Sequence, residues 1–237
     1  MNLNNTQETY TGTDELYDTE ICLKKFNLLI AKILSSYFDK NSNIADFGAG
    51  IGTIAVIMEN IIGIKPTCIE PDTLLGKILK ERGFSVYKSM KAAACLYDGV
   101  YTSNVLEHIK NDVGALKEIH DSLKHNGVLA IYVPAFMCLY SEMDRKIGHY
   151  RRYSKNELIQ KLNAAKYKII QCHYCDSVGF FASLAIKLFG FKERSILGGQ
   201  KSLKIYDKYI TPVSKILDNF GFKYLFGKNL LVIAKKL

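Results

Sequence analysis

The sequence of 237 residues has no tryptophan, only four prolines and no long unbroken apolar run. A membrane-spanning helix needs about 18 or more apolar residues, and the longest apolar stretch, 178–191, is too short for one. Residues 1–6 have neither the basic nor the apolar part of a secretory signal, and the six cysteines are scattered among apolar segments. These absences exclude a spanning membrane protein and a secreted disulfide scaffold, and they predict reduced thiols and a cytoplasmic location.

Charge is divided unevenly along the chain. Residues 1–144 contain 13 Lys and Arg against 18 Asp and Glu, whereas residues 145–237 contain 19 against 5, which gives +14 for the last third. A cationic surface of this kind attracts nucleic acid, anionic lipid headgroups or phosphorylated substrates. Scattered lysines can equally form a solvated face without a specific partner.

Short apolar segments alternate with longer segments of helical periodicity, which predicts an α/β fold. The pattern is typical of a doubly wound, mostly parallel sheet of Rossmann-like type with an added C-terminal helical cap. We predict an N-terminal arm and helix (1–40), a core (41–175), an apolar and basic cap (176–226) and a last core strand (227–237). Predicted strands cover 43–47, 67–70, 84–87, 99–103, 128–133, 167–174 and 230–234, and predicted helices include 19–37, 51–62, 73–82 and 111–124.

The most informative segment, Asp46-Phe47-Gly48-Ala49-Gly50-Ile51-Gly52, follows the first predicted strand and runs into a helix. Glycines allow close backbone approach to a ligand, and the helix start offers free N–H groups. The third glycine comes one residue too early for the dinucleotide fingerprint. Asp46 would repel a pyrophosphate but suit an ammonium group, so a zwitterionic or cationic ligand is favoured. Glu70, at the end of the second strand, can accept hydrogen bonds from ribose hydroxyls.

A third motif runs from Asn104 to Ile109 at the end of the fourth strand. With these three motifs, residues 40–135 resemble a class I S-adenosylmethionine-dependent methyltransferase. The resemblance implies S-adenosylmethionine as cofactor. It places Asp46, Gly48, Ala49 and Gly50 at the methionine half and Glu70 at the ribose. It also places Pro71 and Asp72 beside the adenosine, Ser89 and Met90 at the adenine, and Asn104 under the sulfonium. The acid that the family often has near the adenine is missing from Lys88-Ser89-Met90.

The acceptor is expected near residues 144–153, the densest cluster of functional side chains, which also resembles a GHYRRY segment in a bacterial branch of the superfamily. His149 is the predicted general base, since imidazole exchanges protons near neutral pH. Tyr150 is the second predicted catalytic residue and a predicted wall of the acceptor pocket. Arg151 and Arg152 are predicted to bind an anionic acceptor, and Tyr153 to wall its pocket. The alternative is that these residues brace the following helix.

His108 is placed near the acceptor by the same resemblance. In some O-methyltransferases this Glu-His pair lies near a divalent metal, but here Glu107-His108 is expected to order the next helix. Cys172-His173-Tyr174-Cys175 is a single C-x-x-C without a second pair, so no metal site is predicted. The apolar stretch followed by Lys192, Arg194, Lys201 and Lys204 is expected to cap the substrate, with peripheral contact between 178–204 and the inner face of a membrane left open.

The sequence therefore predicts methyl transfer to a small-molecule, glycan or lipid-linked acceptor that is anionic, with oxygen favoured as the methylated atom. The main alternative is an RNA methyltransferase that uses the basic last third as a phosphate-binding surface. A cofactor-binding protein without chemistry and a nicotinamide oxidoreductase are less consistent with the glycine spacing. The oligomeric state cannot be read from this sequence.

Overall fold

The computed structural model describes residues 13–189 and 199–237. The strands are β1 Ile44–Phe47, β2 Thr67–Ile69, β3 Val86–Tyr87, β4 Tyr97–Ser103, β5 Leu123–Pro134, β6 Tyr167–Cys175 and β7 Asn229–Lys236. The core helices are α1 Thr13–Cys22, α2 Lys24–Ser35, α3 Thr53–Ile62, α4 Thr73–Glu81, α5 Met90–Ala93, α6 Asp112–Ser122, α7 Glu142–Lys146 and α8 Lys155–Ala164. The cap contains α9 Ser177–Phe189, α10 Gln200–Ile205 and α11 Thr211–Asn219.

The strands form one seven-stranded sheet in the order β3-β2-β1-β4-β5-β7-β6. β1 to β5 run parallel, and β7 is antiparallel to both β5 and β6. Helices connect the parallel strands, as crossovers between parallel strands require. The predicted fold class, a doubly wound and mostly parallel sheet with a helical cap, is confirmed. The carboxyl ends of β1, β2, β4, β5 and β6 meet at one edge, where such sheets bind ligands.

The predicted single helix over 19–37 is wrong, because two helices meet at Leu23. Residues 13–18, which precede the predicted helix, begin α1, while residues 1–12 lie outside the described residues. Leu23 has no side-chain acceptor for the free N–H groups at the start of α2. The Asp207 carboxylate accepts those bonds instead, from the Lys25 N–H at 3.0 Å and the Phe26 N–H at 2.8 Å. A cap supplied from so far along the chain has no local sequence signal.

The cap packs on the carboxyl edge through buried polar contacts. Asp176 directly follows β6 and accepts hydrogen bonds from the Gly179 N–H, the Ser214 hydroxyl and the Tyr206 hydroxyl. Asp218 accepts from the backbone N–H groups of Asp176 and Ser177 at the start of α9. Throughout the ranges that the structure covers, no helix is long and apolar enough to cross a membrane.

Candidate cofactor and acceptor site

Residues in the left-handed region of backbone space follow several strands at the carboxyl edge. They are Gly48 after β1 (φ +80°), Asn104 after β4 (φ +54°), Phe136 after β5 (φ +63°) and Asp176 after β6 (φ +63°). Glycine and asparagine tolerate this conformation, whereas phenylalanine adopts it at a cost. Such strain concentrates at functional sites, where it turns the chain sharply and directs side chains toward a ligand.

The glycine loop is held against the end of β2. The Gly48 and Ala49 N–H groups both donate to the Ile69 carbonyl oxygen, at 2.9 and 3.2 Å. A Cβ on Gly48 would collide with the Val105 side chain. Gly52 allows α3 to pack closely on α4, because a Cβ at this position would lie 2.7 Å from the Leu79 side chain. The early third glycine therefore serves helix packing.

Asp46 and Glu70 end adjacent strands as two buried carboxyl groups. Asp46 is 3% exposed, and burial raises its pKa to about 7, although the nearby Tyr101 hydroxyl opposes that shift. Glu70 is 7% exposed and accepts from the Gly50 N–H at 2.8 Å and the Asp72 N–H at 3.0 Å. Burial raises the pKa of Glu70 as well, against these bonds. Two buried acids at this edge suit a ligand with ammonium and hydroxyl donors, as the predicted cofactor has.

The other predicted cofactor residues occupy mixed positions. Asp72 caps α4, since its Oδ1 accepts from the Leu74 and Leu75 N–H groups, and Pro71 is exposed beside it. Ser89 caps α5 through a hydrogen bond from the Ala92 N–H at 3.1 Å. The Met90 side chain is 1% exposed and belongs to the core, and the predicted position of this residue at the adenine stays a prediction. Asn104 is exposed at its left-handed turn, on the same edge as Asp46.

In the segment where the sequence predicts the acceptor, Asp144 joins His149 to Arg152. The Oδ1 atom of Asp144 lies 2.8 Å from Nδ1 of His149 and 2.8 Å from Nε of Arg152. Its Oδ2 atom accepts from the Ser141 N–H at 2.9 Å. Although burial opposes it, the bonds from His149 and Arg152 lower the pKa of Asp144 to about 2. A permanent carboxylate thus fixes the His149 ring, as acid-oriented catalytic histidines require.

Glu107 and His108 complete this cluster. Glu107 has no exposed surface, and its carboxylate oxygens have no hydrogen-bond partner. Its Oε1 atom lies 3.7 Å from Nε2 of His149, too far for a hydrogen bond. Burial raises the pKa of Glu107 to about 8, and burial together with the charge of His149 lowers that of His108 to about 4. One ligand atom from each of Glu107, His108 and His149 lies within 4.8 Å of the others, so the cluster could hold a metal ion.

Both arginines predicted to bind an anion already have carboxylate partners. Arg151 lies 2.6 Å from Asp112 and also donates to the Lys110 carbonyl oxygen, while Arg152 is 8% exposed against Asp144. Tyr153 is fully buried, and its hydroxyl donates to the Leu106 carbonyl and to Asp112. The predicted role of Tyr153 as a pocket wall is therefore replaced by the bracing alternative. Tyr150, by contrast, is 55% exposed.

The Tyr153 hydroxyl is expected to stabilise the fold. Its loss in Tyr153→Phe leaves a buried carbonyl with one partner fewer and should lower the free energy of unfolding by about 1–2 kcal/mol. Urea denaturation measures this change. Tyr150→Phe, at an exposed ring in the same segment, is the matched control and should stay within about 0.5 kcal/mol of wild type. Equal stability of the two variants would contradict a bracing role for Tyr153.

An aromatic wall beside this cluster had not been predicted from the sequence. The Phe136 ring stacks on Tyr174 at 4.6 Å and meets Phe180 edge to face at 5.5 Å. Lys228, just before β7, is half-buried, and desolvation lowers its pKa despite the nearby charge of Asp176. The sequence contains only weak signals for these two residues: Phe136 follows Pro134 in the loop after β5, and Lys228 directly precedes the last strand.

Comparisons with known proteins agree with this geometry. A family model described as a methyltransferase domain matches residues 20–171. No curated protein sequence matches the chain. Among solved structures, a possible histamine N-methyltransferase from Thermotoga maritima is similar, with a TM-score of 0.63, 15% identity and coverage of 95% of this chain and 97% of that one.

Two further structures share the fold. A methyltransferase from Archaeoglobus fulgidus has a TM-score of 0.59 and 18% identity. The match covers 94% of this chain and 99% of that one. Phosphoethanolamine N-methyltransferase 2 from Haemonchus contortus, solved with S-adenosyl-L-methionine, has a TM-score of 0.59 and 16% identity. The match covers 99% of this chain and 59% of that one. The family match spans well over half of the chain, and its sheet order and glycine loop agree with that match. The chain therefore belongs to the methyltransferase-domain family and is an S-adenosylmethionine-dependent methyltransferase.

Proposed function

We propose that the chain transfers the methyl group to a hydroxyl oxygen of a small-molecule, glycan or lipid-linked acceptor. The observation that carries this proposal is the His149 ring, held by Asp144 beside the carboxyl edge with its Nε2 atom turned away from that carboxylate. A hydroxyl must lose a proton as it is methylated, so a fixed imidazole is a suitable base. S-Adenosylmethionine, when bound, supplies an electrophilic methyl group.

In this mechanism the chain's own residues position the acceptor and move one proton. With the cofactor bound, the methyl group would pass from the sulfonium sulfur to the hydroxyl oxygen, and the S–CH3 bond would break as the O–CH3 bond forms. Nε2 of His149 takes the hydroxyl proton, and the Asp144 carboxylate stabilises the resulting imidazolium. Glu107 is neutral near pH 7 because its raised pKa lies at about 8, so it does not hold His149 in a permanent ion pair. The aromatic wall of Phe136, Tyr174 and Phe180 offers an apolar surface for the rest of the acceptor.

The second part of the proposal is that the acceptor is negatively charged. It is supported by the +14 charge of residues 145–237. Arg151 and Arg152 each have a carboxylate partner, so an anion must share them with Asp112 and Asp144 or use exposed lysines nearby. The position of Arg151, whose side chain is 19% exposed, makes it the better candidate of the two.

The experiment is transfer of a radiolabelled methyl group to matched acceptor pairs that differ only in hydroxyl against amine, each with and without a phosphate group. We expect label on the hydroxyl compounds and a lower KM for the phosphorylated ones. Exclusive labelling of amines would contradict oxygen methylation, and equal KM values would contradict an anionic acceptor. A chelator arm is included: activity lost on chelation and restored by a divalent cation would make Glu107, His108 and His149 metal ligands instead of a base and its surroundings.

Binding of S-adenosylmethionine should depend on pH through Asp46. The free protein holds this carboxyl partly protonated near pH 7, and a cationic ammonium group prefers the ionised form. Affinity should therefore rise about tenfold per pH unit below about pH 6.5 and level off above about pH 7.5, with a proton released on binding. Calorimetry in two buffers of different ionisation enthalpy measures both effects. Asp46→Asn should bind weakly with a flatter profile, and an unchanged slope in that variant would contradict the assignment.

A further inference from the structure

The segment from α10 to α11 turns its polar side inward and its apolar side outward. Its inner face is formed by Asp207, Thr211, Ser214 and Asp218, which are buried or half-buried and recur every three or four residues. These side chains hydrogen-bond to α2, to Asp176 and to the start of α9. A helix that covers a protein core normally has the reverse arrangement.

The opposite side carries an apolar stripe with the same spacing. The members of this outer stripe are Ile205 (52% exposed), Tyr209 (56%), Val213 (49%), Ile216 (54%) and Phe220 (80%). Tyr224 and Leu225, each 69% exposed, continue it just beyond the helix. Single exposed apolar residues are ordinary, but a continuous stripe of large ones marks an interaction surface.

The charge around the outer stripe has one sign. Between residues 199 and 225 the sequence has five lysines and two aspartates. Both aspartates, Asp207 and Asp218, are engaged inward by backbone N–H groups. Lys201, Lys204, Lys208 and Lys215 are exposed along the same helical segment. An apolar stripe flanked by lysines has the chemistry of an interfacial helix, whose lysines reach anionic headgroups while aromatic and aliphatic side chains enter the boundary layer.

We propose that the outer stripe docks this protein on the surface of an anionic lipid bilayer. The outer stripe begins after the predicted contact at 178–204, of which 190–198 lie outside the described residues. The flanking lysines Lys201 and Lys204 belong to both. A second copy of the chain is a poorer occupant, because a two-fold contact through the stripe would bring the exposed lysines of both copies together. The inference concerns location and does not depend on which atom is methylated.

Co-sedimentation with vesicles tests the proposal on the full chain. We expect binding to vesicles of phosphatidylglycerol and phosphatidylcholine and little binding to phosphatidylcholine alone. Raising the salt from about 0.1 M to about 1 M, which shortens the Debye length from about 10 Å to about 3 Å, should release much of the protein. The double variant Ile216→Ser, Phe220→Ser should weaken binding at least tenfold without lowering the melting temperature, since both side chains are exposed.

Ile170→Ser, at a 50% exposed position on β6, is the matched control and should bind like wild type. Absence of binding to anionic vesicles, or equal binding by the double variant and wild type, would overturn the proposal. So would a dimer in analytical ultracentrifugation that the double variant converts to monomers, because the stripe would then be covered by a second copy.

Discussion

Replacing His149 with asparagine is expected to lower kcat for methyl transfer by about 10²- to 10⁴-fold, the range that a positioned general base contributes. Asparagine keeps a polar group near Asp144 but cannot accept the hydroxyl proton at neutral pH. The dissociation constant of S-adenosylmethionine should change little, because the role proposed for the ring is toward the acceptor and not toward the cofactor. Single-turnover transfer of a radiolabelled methyl group measures the rate, and calorimetry measures cofactor binding.

Two other variants separate catalysis from folding. Asp144→Asn should also lower kcat, because the amide cannot stabilise the imidazolium and leaves the Arg152 guanidinium without its carboxylate. His125→Asn, at an exposed histidine in the amino-terminal half of β5, should behave as wild type. A His149→Asn enzyme with a native melting temperature and an unchanged kcat would remove His149 from the mechanism and leave oxygen methylation without its base.

Glu70→Gln is expected to weaken S-adenosylmethionine binding by about 100-fold. The proposed contact is with ribose hydroxyls, and hydrogen bonds to a charged acceptor contribute about 1.5–3 kcal/mol each. The amide has one acceptor oxygen where the carboxylate has two, and it loses the charge. Because Glu70 also accepts the Gly50 and Asp72 N–H groups in the free protein, the melting temperature of the variant must be measured beside its affinity.

Glu81→Gln provides the control for the loss of one acidic side chain. Glu81 is exposed at the end of α4 and makes a solvent-accessible pair with Lys77, so binding of S-adenosylmethionine should be unchanged. Titration with NAD should show no saturable binding to wild type. A loss smaller than about threefold in Glu70→Gln would assign Glu70 to bracing the glycine loop instead of holding the ribose.

The sequence alone determined the sheet, the family and the cofactor edge, because the responsible signals are local. Asp46, Gly48 and Gly50 occur within one strand and turn, and Glu70 ends the next strand. When strands and helices alternate, right-handed crossovers bring the carboxyl ends of the parallel strands together, and this does not depend on the rest of the chain. The details that local signals do not predict depend on tertiary packing: Gly52 packs against Leu79 of α4, and Met90 belongs to the core.

Only the tertiary structure decided how the polar side chains pair, since pairing depends on residues far apart in sequence. The sequence predicts Arg151 and Arg152 as an anion site, but it does not predict the ion pairs that they form with Asp112 and Asp144. Asp207 caps a helix near the opposite terminus, which no local pattern could indicate. The same distant contacts turn the polar side of the α10–α11 segment inward and leave its apolar side outward, because the inward-facing carboxylates need backbone N–H partners, which α2 and the start of α9 supply.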